Sequence, residues 1–177
     1  MVLAAAQEPP SIALTWILER LGRASALAKE FMASDSPPER RQRIVDEALR
    51  LRPAAMASLR QLTRTTEVSG HELPAGTATM VPIPLLHRDP QVFPEPERFH
   101  PDRFANGARP GAFRPFGGGA RGCIGEALAQ AEIHTVIPTI LGRIRLRPLW
   151  PHPERPVQRA TVLVPHRSLI VLATRNQ

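Results

Sequence analysis

Twenty of the 177 residues are proline, about twice the usual share of roughly 5%. Proline fixes φ, removes a backbone donor and interrupts helices and central strands, so the chain must be built from short, punctuated segments. Glycine numbers 11, and proline and glycine together stay below the roughly 25–30% of low-complexity chains. Leu, Ile, Val and Phe make up about a quarter of the residues, above the roughly 20% floor under which chains stay disordered. The length suits one core, on a prior of roughly 100–200 residues per domain. No stretch approaches the roughly 18 apolar residues of a membrane span, and the N-terminus lacks the basic-then-apolar layout of a secretion signal. These features predict an ordered, soluble, cytoplasmic chain.

The segments can be placed in order. Residues 1–33 have helical composition, with Ile12, Trp16, Ile17 and Leu21 near one stripe, and Glu8-Pro9-Pro10-Ser11 marks a helix start or a kink. Residues 36–52 form a second helix, opened by a capping box with Ser36 as N-cap, Pro37 at the first helical position and Glu39 reaching back. Residues 59–86 change to β-type pieces, Thr65 to Val68 and Thr77 to Ile83, around the turn Leu73-Pro74-Ala75-Gly76. Residues 87–115 are irregular and dense in Pro, Arg, Asp and Phe, and a coil that long is expected to be pinned. The Gly-rich stretch 116–125 runs into a helix over 126–142. Residues 160–175 predict a β-hairpin, with Thr161 to Val164 and Leu169 to Thr174 joined by Pro165-His166-Arg167-Ser168. Together these describe a mainly α chain with small β-sheets.

The formal net charge is +7, and its distribution matters more than its size. Residues 1–100 balance 12 basic against 12 acidic side chains, whereas residues 101–177 carry 11 arginines against four acids. Lys29 is the sole lysine; the remaining cations are guanidiniums, suited to planar contacts with carboxylates and phosphates. An arginine-rich nucleic-acid binder fits the charge. It lacks stacking platforms, however, since aromatics are 5% with no tyrosine. Cys123 is the sole cysteine, which excludes an internal disulfide and any zinc site of several cysteines.

Cys123 lies in Phe116-Gly117-Gly118-Gly119-Ala120-Arg121-Gly122-Cys123-Ile124-Gly125. Glycines around a thiol let the backbone turn tightly and approach a bulky partner, and a following helix aims its amides back at the sulfur. Arg121 adds positive charge for an anionic group. These properties suit an axial iron ligand beneath a flat macrocycle bearing carboxylates. Two other readings stand beside this one. The first is a buried cysteine in a helix-capping loop. The second is a nucleophile served by His87, His100 or His134, none of which has a telling spacing.

The same ten residues resemble the haem-binding loop of the cytochrome P450 family, with every anchoring position filled. Glu47-Ala48-Leu49-Arg50 resembles a second family motif. Taken alone, Glu47 and Arg50 are helical neighbours worth a few tenths of a kcal/mol as a surface pair. Phe93-Pro-Glu-Pro-Glu-Arg-Phe99-His-Pro-Asp-Arg103-Phe104 resembles the family's meander. The resemblance implies that Arg103 completes a buried structural triad with Glu47 and Arg50. It further implies haem b (iron protoporphyrin IX) as cofactor, Cys123 as the axial ligand of its iron, Phe116 and Gly125 as cofactor contacts, and Arg60 and Arg121 as partners of the propionates.

Ala5-Ala6-Gln7-Glu8-Pro9-Pro10 falls where the family's distal oxygen-pocket helix has a small-small-x-acid-alcohol pattern. Glu8 fits the catalytic acid. Pro9 stands at the alcohol position, has no hydroxyl to relay a proton, and so departs from the family. Ala5, Ala6 and Glu8, the stretch Ala55 to Leu59 and the tip Pro165 to Ser168 resemble substrate-lining positions. The resemblance covers all 177 residues but less than half of the family fold, so the expected fold is an incomplete, C-terminal part.

The leading expectation is therefore a haem-thiolate monooxygenase, truncated or split. It would oxidise a small apolar substrate with O2 and two electrons, possess a missing N-terminal half as a partner, and involve neither membrane nor nucleic acid. A ferredoxin- or flavodoxin-like electron donor would dock through Arg109, Arg114, Arg143 and Arg145. The alternatives are a non-catalytic fragment unable to hold haem alone and the nucleic-acid binder.

Overall fold

The computed structural model describes residues 2–107, 111–167 and 171–175. Three helices carry the core: α1 (Val2–Arg23), α3 (Pro38–Leu51) and α5 (Glu126–Arg143), with the shorter α2 (Ser25–Met32) beside them. Their apolar stripes meet in one cluster, in which Ile17, Leu21, Phe31, Ile44, Val45, Ile133 and Ile137 are almost completely buried. A second cluster joins Ile12 and Trp16 of α1 to Val162. A third packs Phe93, Phe104 and Ala112 within the coil.

Helix α1 runs unbroken through Pro9 and Pro10. Neither proline has the N–H that would close a turn onto the carbonyls of Ala5 and Ala6. The chain leaves helical geometry instead at Ala24, with φ −117° and ψ 82°. The start of α3 corrects the expected capping box. Pro37, not Ser36, is the N-cap, with φ −59° and ψ 144°, and Pro38 takes the first helical position without any side-chain cap. The reason is steric: a residue followed by proline is excluded from the α region, so Pro37 cannot begin the helix ahead of Pro38.

Among the described residues, four two-stranded antiparallel sheets accompany the helices. β1 (Ala57–Gln61) pairs with β4 (Ala78–Pro82), and between them β2 (Thr66–Val68) pairs with β3 (His71–Leu73). The β2–β3 turn places both Ser69 and Gly70 at positive φ, 51° and 80°, the geometry that matches strand twist in a two-residue hairpin. A short helix α4 (Ile83–Leu86) leads into the coil, which holds one 3-10 turn at Pro101–Phe104.

Among the described residues, the hairpin expected over 160–175 does not form. β7 (Val162–Pro165) pairs back onto β6 (Pro156–Arg159), while β8 (Val171–Arg175) pairs with β5 (Ile144–Pro148). Tertiary contacts choose these partners. The Trp16 indole donates to the Leu163 carbonyl at 3.0 Å, the Met56 and Leu163 amides donate to the carbonyls of Thr161 and Ala54, and the Arg167 amide donates to Glu154. Ser168 lies outside the described residues. No helix among the described residues is long and apolar enough to cross a membrane.

Candidate functional site

The site is built on the end of α3. Glu47 and Arg50 lie one turn apart and are both fully buried. Arg50 donates to Glu47 twice, from Nε at 2.7 Å and from Nη2 at 2.9 Å. Arg103 brings its Nε to Glu47 Oε1 at 3.1 Å, and the same oxygen accepts the backbone N–H of His100 at 2.8 Å. The remaining guanidinium N–H groups hold the coil's carbonyls: Arg50 reaches His87 and Arg98, and Arg103 reaches Pro94, Glu95 and Arg98. One carboxylate and two forks thus satisfy a long irregular segment that has few backbone partners of its own.

From this platform the chain enters the cysteine loop. The Gly117 amide donates to the Arg114 carbonyl at 3.1 Å, a 3-10 turn spans Gly119–Arg121, and the Cys123 amide donates to the Phe116 carbonyl at 2.8 Å. Gly117 and Gly119 sit at φ 74° and 66°, a region that costs residues with a Cβ. Gly125 is the N-cap of α5, so the thiol is carried two residues before the cap of a helix that is anchored in the core by Ile133 and Ile137.

Cys123 is exposed and opens onto a cleft of about 360 Å³. Ala6, Pro9, Pro10 and Ala13 of α1 form one wall; Ala55, Ser58, Leu59 and Arg60 form another; Phe116, Arg121, Cys123, Gly125 and Leu128 line the loop side. The expected cofactor residues Arg60, Phe116, Arg121, Cys123 and Gly125 are therefore brought together. Glu8 is exposed and is not among the lining residues. Pro165 to Arg167 do not line the cleft either, and Arg109 lies outside the described residues.

A nucleophilic cysteine finds no base here, since no histidine lines the cleft. His87 is buried inside the core and His134 is bonded on α5 to Gln42 at 2.7 Å. The lining does suit haem. An exposed thiol offers a soft ligand for iron, Phe116, Leu59 and Leu128 offer apolar surface to a macrocycle, and the Arg60 and Arg121 guanidiniums offer charge for its carboxylates.

Sequence reasoning missed Ala13 and Leu128 as lining residues. Leu128 carried a signal, because it lies five residues beyond the cysteine at the start of a helix and is 60% exposed despite being apolar. Ala13 carried none, since only the packing of α1 turns it toward the thiol.

Residues 41–172 match the sequence model of the family described as Cytochrome P450. Cytochrome P450 135B1 of Mycobacterium tuberculosis is 37% identical over 186 residues, taking in 99% of this chain and 39% of that protein. Cyclooctatin synthase of Streptomyces melanosporofaciens is 42% identical over 112 residues, 61% of this chain and 24% of its own. Among solved structures, the retinoic acid-bound cyanobacterial CYP120A1 superposes with a TM-score of 0.88 at 25% identity, over 99% of this chain and 44% of that one. The chain thus spans about two fifths of the length of the relatives it matches from end to end. Matched in sequence through its buried ion network and its cysteine loop, and in fold along nearly its whole length, the chain belongs to the cytochrome P450 family and carries part of that fold.

Proposed function

We propose that this chain is the thiolate-bearing part of a haem monooxygenase that oxidises a small apolar molecule with dioxygen and two electrons. The observation that carries the reading is the convergence of Cys123, Arg60 and Arg121 on one apolar cleft. Cys123 would ligate the iron of haem b, Phe116 and Leu128 would bear on the macrocycle, and Arg60 and Arg121 would neutralise its propionates. When bound, haem supplies the redox and oxygen chemistry. The chain's own part is to hold the sulfur, exclude water with Phe116 and Leu59, and offer substrate the small apolar wall of Ala6, Pro9, Pro10 and Ala13. Glu8 is left out of this site because it does not line the cleft.

Arg114, Arg143 and Arg145 belong to the basic half of the chain, and in this reading they present positive charge to an acidic ferredoxin- or flavodoxin-like donor. A cytoplasmic location and an N-terminal half supplied by further polypeptide complete it. Ile124 is fully exposed and Leu128 largely so, which favours a second reading in which the 177 residues alone do not retain haem.

Reconstitution with haem, reduction and exposure to carbon monoxide tests both. A red-shifted Soret band characteristic of thiolate ligation, lost in Cys123→Ala, supports the first reading. Failure to retain haem through gel filtration supports the second. A stable haem complex whose spectrum is unchanged in Cys123→Ala rejects the ligand assignment.

A further inference from the structure

His87, at the C-cap of α4, is fully buried and lies outside the cleft. Its Nε2 accepts the backbone N–H of Arg114 at 2.8 Å. That bond leaves the ring proton on Nδ1, which faces the carbonyl oxygen of Arg50 at 3.3 Å and donates to it. In return, Nη1 of Arg50 donates to the carbonyl of His87 at 2.9 Å. Beyond Arg114, the turn to Gly117 and the bond from the Cys123 amide to the Phe116 carbonyl continue the path. Hydrogen bonds therefore lead from the buried ion pair of α3 to the thiol residue, and the imidazole is the link between the two halves. The ring also packs against Phe113, with centroids 5.2 Å apart.

We propose that His87, in its Nδ1–H tautomer, is a positioning residue that sets the register of the Cys123 loop against α3. A ring that merely filled space would need neither nitrogen. Here one nitrogen accepts from the first residue of the loop's opening turn while the other donates to the last turn of α3. Burial and the facing charges of Arg50 and Arg88 disfavour its protonation, which keeps Nε2 available as an acceptor. The inference concerns the polypeptide alone and stands or falls separately from haem binding.

The test is hydrogen–deuterium exchange of the full chain, comparing peptides over 112–124 with peptides over 43–51 in wild type, His87→Leu and His87→Gln. His87→Leu removes both hydrogen bonds and should speed exchange of the loop by about tenfold relative to α3. His87→Gln, whose terminal amide can both accept and donate, should stay within about threefold of wild type. Equal behaviour of the two variants, an unchanged loop in His87→Leu, or equal acceleration of loop and helix would overturn the proposal. Should His87→Leu not fold, acidification provides the contrast. After correction for intrinsic rates, loop exchange relative to α3 rises toward pH 4 in wild type and stays flat in His87→Gln; the same ratio in both overturns it.

Discussion

Arg50 grips Glu47 with two parallel hydrogen bonds inside the core, Nε to Oε2 at 2.7 Å and Nη2 to Oε1 at 2.9 Å, with no solvent reaching either side chain. A buried pair of this kind is costly to break from one side, because the surviving charge is left uncompensated. Glu47→Ala would strand Arg50 and free Arg103 as well. The expected loss is about 3–5 kcal/mol, read as a shift in the urea midpoint. Arg50→Lys should also destabilise, since an ammonium cannot reproduce the fork; an unchanged midpoint in Glu47→Ala contradicts the network.

The cysteine loop depends on left-handed backbone. Gly119 has φ 66°, and a Cβ there would meet nothing within 4 Å, so substitution costs conformational energy alone. Gly119→Ala is expected to lose about 1 kcal/mol and Gly119→Asn less, because asparagine tolerates this region. Thermal denaturation of the two variants side by side measures the difference.

Buried His87 and partly buried Asp46 oppose each other in acid. Burial lowers His87 from 6.5 to about 4, helped by Arg50 and Arg88 and resisted by its bond to the Arg50 carbonyl. The unfolded chain then binds that proton before the native one does, so stability is lost as pH falls from 6.5 toward 4. Burial raises Asp46 from 3.8 to about 6, against a hydrogen bond from Gln42. Here the native state binds the proton first, so stability is lost as pH rises from about 4 through 6. Each contribution is on the order of 3 kcal/mol. These two contributions should therefore largely cancel between pH 4 and 6. Asp46→Asn should fall with acid and His87→Gln should rise, as urea titrations at several pH values would show; parallel profiles for all three would refute the opposition.

Apolar residues on α5 and beside it divide sharply by environment. Ile133 is fully buried, whereas Ile124 is fully exposed. Ile133→Ala is expected to cost about 2–5 kcal/mol through lost transfer and a cavity. Ile124→Ser should leave the folded chain within about 0.5 kcal/mol of wild type, measured by the same denaturation.

The sequence alone determined the local grammar and much of the chemistry. Proline and glycine spacing marked the breaks between helices. The apolar stripe of Ile12, Trp16, Ile17 and Leu21 marked the buried face of α1. The residues around Cys123 marked a loop that must turn tightly beside a thiol. These are decided within a few residues by φ restriction and helical period.

Tertiary structure decided what lies far apart in the chain. The 160–175 segment reads locally as a hairpin, yet Trp16, Glu154 and the alternating strand Ile144–Pro148 compete for its two halves and separate them. His87 reads as one histidine among six, and only packing brings Arg50 and Arg114 to opposite nitrogens of its ring. Strand pairing and burial are energies between segments, and no single window of sequence contains both partners.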